Sequence, residues 1–255
     1  MRTVKCTDGT VVTYCDYVDD YINAMKFSDY IVVSQIMDVC YEDRVKLQKQ
    51  GFVFADRAIN MQFRLPNDID VDISDKQKNS AYSFDVSTDW DVNVVLNIVE
   101  NYFENDSRFS VGVTNETRKK ELIRNYLEYL LFCNTLSQLP PAPDNLTDGK
   151  NTSVGKYFAT LMHNGSECIG VNIWLSSQEG ARIMLGAVHP SYLNRGVSIF
   201  LYKHTLQAMR NVGINRISEW VYSSNVNSLN LHSLLFQSGY KYGKCRDVWI
   251  WSKNI

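Results

Sequence analysis

The sequence predicts an α+β protein, a mixed and mostly antiparallel sheet flanked by helices. Three observations carry this. From Tyr82 onward the apolar residues switch between period two and period 3.6 in the order β, α, α, β, β, β, α, β, α, β, β. Asn164-Gly165 separates two strand-like runs as a type I′-like hairpin signal. Leu185 to Tyr202 reads as an apolar strand stopped by Pro190, then a turn, then an amphipathic helix opening at Gly196.

The elements follow in order. Residues 1–34 are weakly patterned, with a strand expected at Gly9–Tyr14. From Ser34, the residues Ile36, Met37, Val39, Cys40, Val45 and Leu47 form a helical stripe that Gly51 ends. Phe52-Val53-Phe54 and the alternating Ile59–Leu65 then read as a hairpin that closes before Pro66. Residues 67–80 are polar and read as a solvated linker. Asp68, Asp70 and Asp72 alternate there, but the glycine and glutamate of a calcium-binding loop are missing. Tyr82–Val86 is a strand. Asp89 or Asp91 caps a helix carrying Val94, Val95, Ile98, Val99, Tyr102 and Phe103. Thr114 or Asn115 caps a second, longer helix running through Leu122, Ile123, Tyr126, Leu127, Leu130 and Leu131, ended by Leu139-Pro140-Pro141. Lys156–His163, Ser166–Leu175 and Ala181–Val188 are three antiparallel strands. A helix spans Val197–Asn211, a strand Ile217–Val221, a helix Ser228–Ser238 and a last strand Val248–Trp251. The unit helix, Gly51-Phe52, strands resembles the closing unit helix, Gly239-Tyr240, strands, which suggests an internal duplication.

Composition excludes several classes. A chain of 255 residues with 45% hydrophobic and 21% charged residues is ordinary for a globular protein. A net charge of −2 leaves no electrostatic footprint for nucleic acid or an anionic membrane, so any anion site must be local. No apolar run approaches the roughly 20 residues of a spanning helix, and the first residues lack the apolar core of a signal peptide. Six scattered cysteines without Cys-x-x-Cys spacing imply reduced thiols, a cytoplasmic protein and no metal site.

Around the turn the residues become specific. A strand running into a glycine-containing helix start presents unpaired N–H groups and the positive end of the helix dipole, an anion site suited to phosphate. Val188-His189-Pro190 followed by Leu193-Asn194-Arg195-Gly196-Val197-Ser198 resembles the phosphate turn of the GNAT superfamily of acyl-CoA-dependent N-acyltransferases. That motif is Gln/Arg-x-x-Gly-x-Gly/Ala after a strand ending in Val-x-Pro. The core glycine is kept, with Leu193 and Ser198 as departures. Asn225 with Ser228 and the Gly239-Tyr240 pair add to the resemblance. So do Gln48–Phe52 and the Asn101–Phe103 and Ser107–Phe109 segments, which resemble the dTDP-fucosamine acetyltransferase type. The resemblance implies a partial GNAT-like domain and linker over 1–80 and a complete GNAT domain over 81–255.

It further implies acetyl-CoA as cosubstrate, no metal, a small-molecule amine as acceptor (a nucleotide-linked amino sugar in the leading case) and a homodimer as an assembly to test. The backbone of Asn194, Arg195, Gly196, Val197, Ser198 and Ile199 would cradle the diphosphate, with Asn225 close by. The Val188 N–H would face the thioester oxygen. Arg195 either adds a charged contact or is a solvated surface residue. His232, seven residues beyond Asn225, is the expected leaving-group acid, with a surface or capping histidine as the alternative. Counting back from Gly239 reaches Leu235 instead, and Tyr222 and Tyr240 stand in reserve. Glu219, a carboxylate on an apolar strand, is the expected base; a plain salt bridge is the alternative. A protein or peptide acetyltransferase, or a catalytically silent acyl-CoA-binding module, are the competing functions.

Overall fold

β-Branched and aromatic residues at alternate positions build ten strands into one sheet. The computed structural model describes residues 1–15, 18–36, 41–65, 82–100, 109, 116–136, 155–235 and 240–253. The strands are β1 (Arg2–Lys5), β2 (Val11–Cys15), β3 (Tyr30–Ile36), β4 (Val53–Arg64), β5 (Tyr82–Ser87), β6 (Gly155–Asn164), β7 (Glu167–Ser177), β8 (Gly180–Val188), β9 (Arg216–Tyr222) and β10 (Tyr240–Ser252). The helices are α1 (Tyr21–Ala24), α2 (Tyr41–Lys49), α3 (Val92–Val99), α4 (Glu116–Cys133), α5 (Val197–Asn211) and α6 (Val226–Leu235). The expected linker, the 101–108 segment, the Thr114 and Asn115 caps, the proline-rich loop and Gly239 lie outside the described residues.

The strand order is β1-β2-β3-β10-β4-β9-β8-β7-β6-β5. It reads the same outward from the β10–β4 contact in both directions. The next pairing is antiparallel (β10 with β3, β4 with β9), the next parallel (β3 with β2, β9 with β8), and the next antiparallel (β2 with β1, β8 with β7). The units β3–α2–β4 and β9–α6–β10 are therefore equivalent, and each lays its last strand beside the other's first. The residues expected as a separate segment before position 80 thus contribute β4 to the middle of the sheet.

Apolar side chains cover both faces. On one, Leu122, Leu127 and Leu130 of α4 and Val95 of α3 share a core with Val4, Val12, Val32, Val171, Leu185 and Val248. On the other, Leu206 and Met209 of α5 pack with Trp174, Ile183 and Ile217. Helix α3 is capped by Asp91, whose carboxylate accepts from the Asn93 N–H at 2.7 Å.

Three local expectations are corrected. The helical stripe from Ser34 begins instead as strand β3, where Ile31, Val32 and Val33 are all buried between neighbouring strands, and the helix starts at Tyr41. Residues 52–65 are not a hairpin but one twelve-residue strand. The polar pair Asp56-Arg57, which looks like part of a turn, is held extended by distant partners. Arg57 Nε donates to Asp247 at 2.7 Å, and Ser223 Oγ donates to Asp56 at 2.9 Å. The β6–β7 turn sits one residue later than expected: Asn164 pairs with Glu167, leaving Gly165-Ser166 as the loop, and Gly165 supplies the positive φ of 60°.

Candidate active site

The site begins where two parallel strands separate. β8 and β9 pair only at Ala181↔Ile217, Arg182↔Ser218 and Ile183↔Glu219. Beyond these, β8 stays with β7 as far as Val188, and β9 stays with β4 as far as Tyr222. The result is a fork with Glu219 at its apex. The His189 N–H donates to the Ile169 carbonyl at 2.7 Å, so His189 faces β7. Alternation along the strand turns the preceding N–H, that of Val188, to the opposite edge, into the fork. The equivalent strands β2 and β3 pair from Val12↔Tyr30 to Cys15↔Val33, the last described residue of β2.

The turn after β8 builds the anion site from its backbone. His189 Nδ1 accepts from the Ser191 N–H at 3.3 Å and starts a single 3-10 turn over Pro190–Tyr192. Tyr192 donates to Glu167 at 2.8 Å and accepts from Asn164 at 3.1 Å, which anchors the turn to the β6–β7 hairpin. Asn194 and Gly196 both take the left-handed conformation, at φ 60° and 73°. Gly196 is the residue before α5 and has no side chain to cap it. The first intrahelical donors are Ile199 and Phe200, both to the Gly196 carbonyl. The N–H groups of Val197 and Ser198 therefore point out of the helix without an internal acceptor. A Cβ on Gly196 would meet no protein atom within 4 Å, so the space above the turn is open. Glycine is called for here by the positive φ, not by protein crowding. Arg195 is exposed and lies over the Tyr192 ring at 5.6 Å.

At the apex three polar side chains from three elements meet. Glu219 of β9, His232 of α6 and Tyr202 of α5 are 3%, 1% and 6% exposed. The Tyr202 hydroxyl donates to Glu219 Oε2 at 2.6 Å and lies 2.8 Å from His232 Nε2. Glu219 Oε1 contacts His232 Nε2 directly, and His232 Nδ1 contacts the Ser228 carbonyl. The carbonyl can only accept, so Nδ1 carries a proton, and Nε2 faces Glu219 and Tyr202. Burial pushes the Glu219 carboxyl above its ordinary range, while His232 and the Tyr202 hydrogen bond act against that rise.

Residues 127–235 match the family model described as Acetyltransferase (GNAT) family. The match spans 109 of the chain's 255 residues. A search of curated proteins finds no match. Among solved structures, a functionally unknown conserved protein from Staphylococcus epidermidis is 10% identical with a TM-score of 0.55, covering 97% of this chain and 85% of that one. A tandem GNAT protein from the clavulanic acid biosynthesis pathway is 8% identical with a TM-score of 0.54, covering 91% of this chain. A glucosamine N-acetyltransferase region of a fungal multi-domain beta-N-acetylglucosaminidase is 10% identical with a TM-score of 0.57, covering 91% of this chain. This chain spans 66% and 27% of the latter two. At these identities the likeness establishes the GNAT fold, here as a sheet of two related halves.

Within that GNAT fold the expected residues fall into two groups. Val188 and Asn194 to Ile199 form the fork edge and the turn. Glu219 and His232 meet each other at the apex. His232 is buried, not the surface or capping histidine that was its alternative. Asn225 belongs to neither group by contact: its Oδ1 accepts from the Ser228 N–H at 3.0 Å and caps α6. Sequence reasoning gave Tyr202 no role beyond membership of the Val197–Asn211 helix. The available signal was a hydroxyl-bearing residue among buried apolar positions, which must find a partner. Also missed was Asn172 of β7, whose Nδ2 donates to Thr205 at 2.9 Å while its buried Oδ1 packs against Gly186. Among the described residues no group of three metal-ligating side chains occurs, and no helix is long and apolar enough to cross a membrane.

Proposed function

We propose that the chain is an acetyl-CoA-dependent N-acetyltransferase acting on the amine of a small molecule. The observation that carries this reading is the β8–β9 fork, with a bare helix N-terminus at its rim and a buried Glu219–His232 pair at its apex. The residues fit the cosubstrate: the space beside Gly196 is open, and the Val197 and Ser198 N–H groups have no acceptor in the helix.

When bound, acetyl-CoA supplies an activated acyl group and a thiolate leaving group. The Asn194–Ile199 backbone binds the diphosphate through N–H groups and the helix dipole. The Val188 N–H, directed into the fork, stabilises charge on the acyl oxygen. Asn225 has committed its carbonyl oxygen to the helix cap, so only its amide N–H groups remain to donate. Glu219 receives the proton lost by the amine, and His232 delivers one to the leaving group. Burial favours this division, because a carboxyl with a raised pKa exchanges protons nearer neutral pH than an exposed one.

A nucleotide-linked amino sugar, as in the dTDP-fucosamine type, is the acceptor class we favour, with a cytoplasmic setting and a homodimer as parts of the same reading. The glucosamine N-acetyltransferase named among the structural neighbours supports an amino-sugar acceptor. The test is incubation with acetyl-CoA and a panel of amino-sugar nucleotides, following free thiol. Thiol release with an amino sugar supports the reading. Release only with peptides moves it to a peptide acetyltransferase. Binding without release leaves a silent acyl-CoA module, and no thermal shift at millimolar acetyl-CoA removes all three.

A further inference from the structure

Glu219 and His232 are not alone at the apex, and their third partner sits on the helix that begins at the anion turn. The hydrogen bonds show what that partner does. His232 Nδ1–H is committed to the Ser228 carbonyl, and the Tyr202 O–H to Glu219 Oε2. Glu219 Oε1 is left facing His232 Nε2. A proton passing from Oε1 to Nε2 would break one O–H bond, form one N–H bond and leave the net charge of the buried cluster unchanged. Without the phenol, nothing distinguishes the two carboxylate oxygens, and rotation about the side chain would let either face the ring. The groups facing Glu219 from the neighbouring strands are apolar: Ile183 on β8 and Met61 on β4 are its register partners, and Asn60 of β4 reaches only its backbone carbonyl at 3.3 Å. The titratable groups against it are Tyr202 and His232.

We propose that Tyr202 is the positioning residue of this pair: by donating to Glu219 Oε2 it presents Oε1 to His232 and ties the proton-handling pair to α5. Helix α5 also carries the anion turn at Gly196, roughly 9 Å away along its axis at 1.5 Å per residue. One rigid helix therefore spans the diphosphate cradle and the apex. The consequence for turnover rests on the acyl-transfer reading above. The consequence for Glu219 does not.

Tyr202→Phe removes one oxygen and keeps the ring. In the full chain without ligand, a carbon-13 titration of the glutamate carboxyls, with Glu219 identified through Glu219→Gln, should show Glu219 holding its proton to higher pH in Tyr202→Phe than in wild type. The reason is loss of a donor that favours the carboxylate. An unmoved titration overturns the proposal. With acetyl-CoA and an amino-sugar nucleotide, kcat should fall about ten- to a hundredfold, the worth of one hydrogen bond to a charged group, with KM for acetyl-CoA unchanged. A raised KM at unchanged kcat also overturns it. If wild type releases no thiol, the acyl-transfer reading fails while the carboxyl titration still decides the role of Tyr202. If Tyr202→Phe does not fold, wild-type proton NMR decides. A slowly exchanging hydroxyl proton with a cross-peak to the His232 ring is expected, and its absence counts against the proposal.

Discussion

Replacing Gly196 by alanine separates the strain of the anion turn from its binding role. Gly196 has φ 73° and ψ 2°, the left-handed region, where an alanine costs about 1–2 kcal/mol. Its Cβ would touch no protein atom within 4 Å, so no steric cost adds to that strain. For a chain of this size, about 1–2 kcal/mol lowers the melting temperature by about 2–8 °C. The new methyl would stand in open space beside the turn, where a bound diphosphate must approach the backbone closely. Affinity for acetyl-CoA should therefore fall by about tenfold or more, a loss of about 1.4 kcal/mol or more. Urea unfolding measures the first effect and isothermal titration calorimetry the second. Wild-type affinity in Gly196→Ala would refute the cradle, because the variant is otherwise only mildly strained. Destabilisation well beyond 2 kcal/mol would refute the claim that nothing in the protein opposes the methyl.

Other expectations follow from the same geometry. Gly186→Ala should be the more destabilising glycine variant despite its ordinary backbone, since its Cβ would lie 2.4 Å from the buried Asn172 Oδ1. Overpacking of that kind costs about 1–3 kcal/mol, and differential scanning calorimetry of both variants tests the ranking. Asp56→Ala removes the acceptor for the Ser223 and Ser224 hydroxyls and should cost about 2–4 kcal/mol in urea unfolding, with the β9–α6 loop becoming sensitive to proteolysis. Glu219 also sets a pH dependence. Its folded carboxyl titrates above the unfolded value of 4.5, so its contribution is complete below that value and declines as pH rises through the folded value. Wild type should lose stability relative to Glu219→Gln over that rise; a constant difference across pH 4–8 would contradict it. Calorimetry should also find one acetyl-CoA per chain, bound at the fork where β8 and β9 part.

The readability of this chain varies with the distance over which each feature is decided. The 155–222 region is legible almost residue by residue, because hairpins, a proline stop and a left-handed glycine are settled by chain neighbours. Residues 30–65 are not. Ser34–Leu47 matches a helical period by coincidence of apolar spacing, while its first three residues continue β3 and pair with β10. Asp56 and Arg57 look like turn residues until their partners, Ser223, Ser224 and Asp247, are brought beside them from the far end of the chain. Glu219 and His232 were each conspicuous alone, but their meeting, and Tyr202 between them, depends on three elements converging.

By itself, then, the sequence determined the anion turn: Pro190 ends the strand, Gly196 permits the left-handed step, and the following apolar stripe forms α5, all within one stretch of chain. It also implied two related halves, through two helix–glycine–aromatic units. Only the tertiary structure decided that β4 and β10 cross between those halves, and that the parallel strands β8 and β9 open into a fork. The physical reason is that strand partners and buried polar contacts are chosen by burial and hydrogen-bond satisfaction across the whole sheet, and no local period in the sequence encodes them.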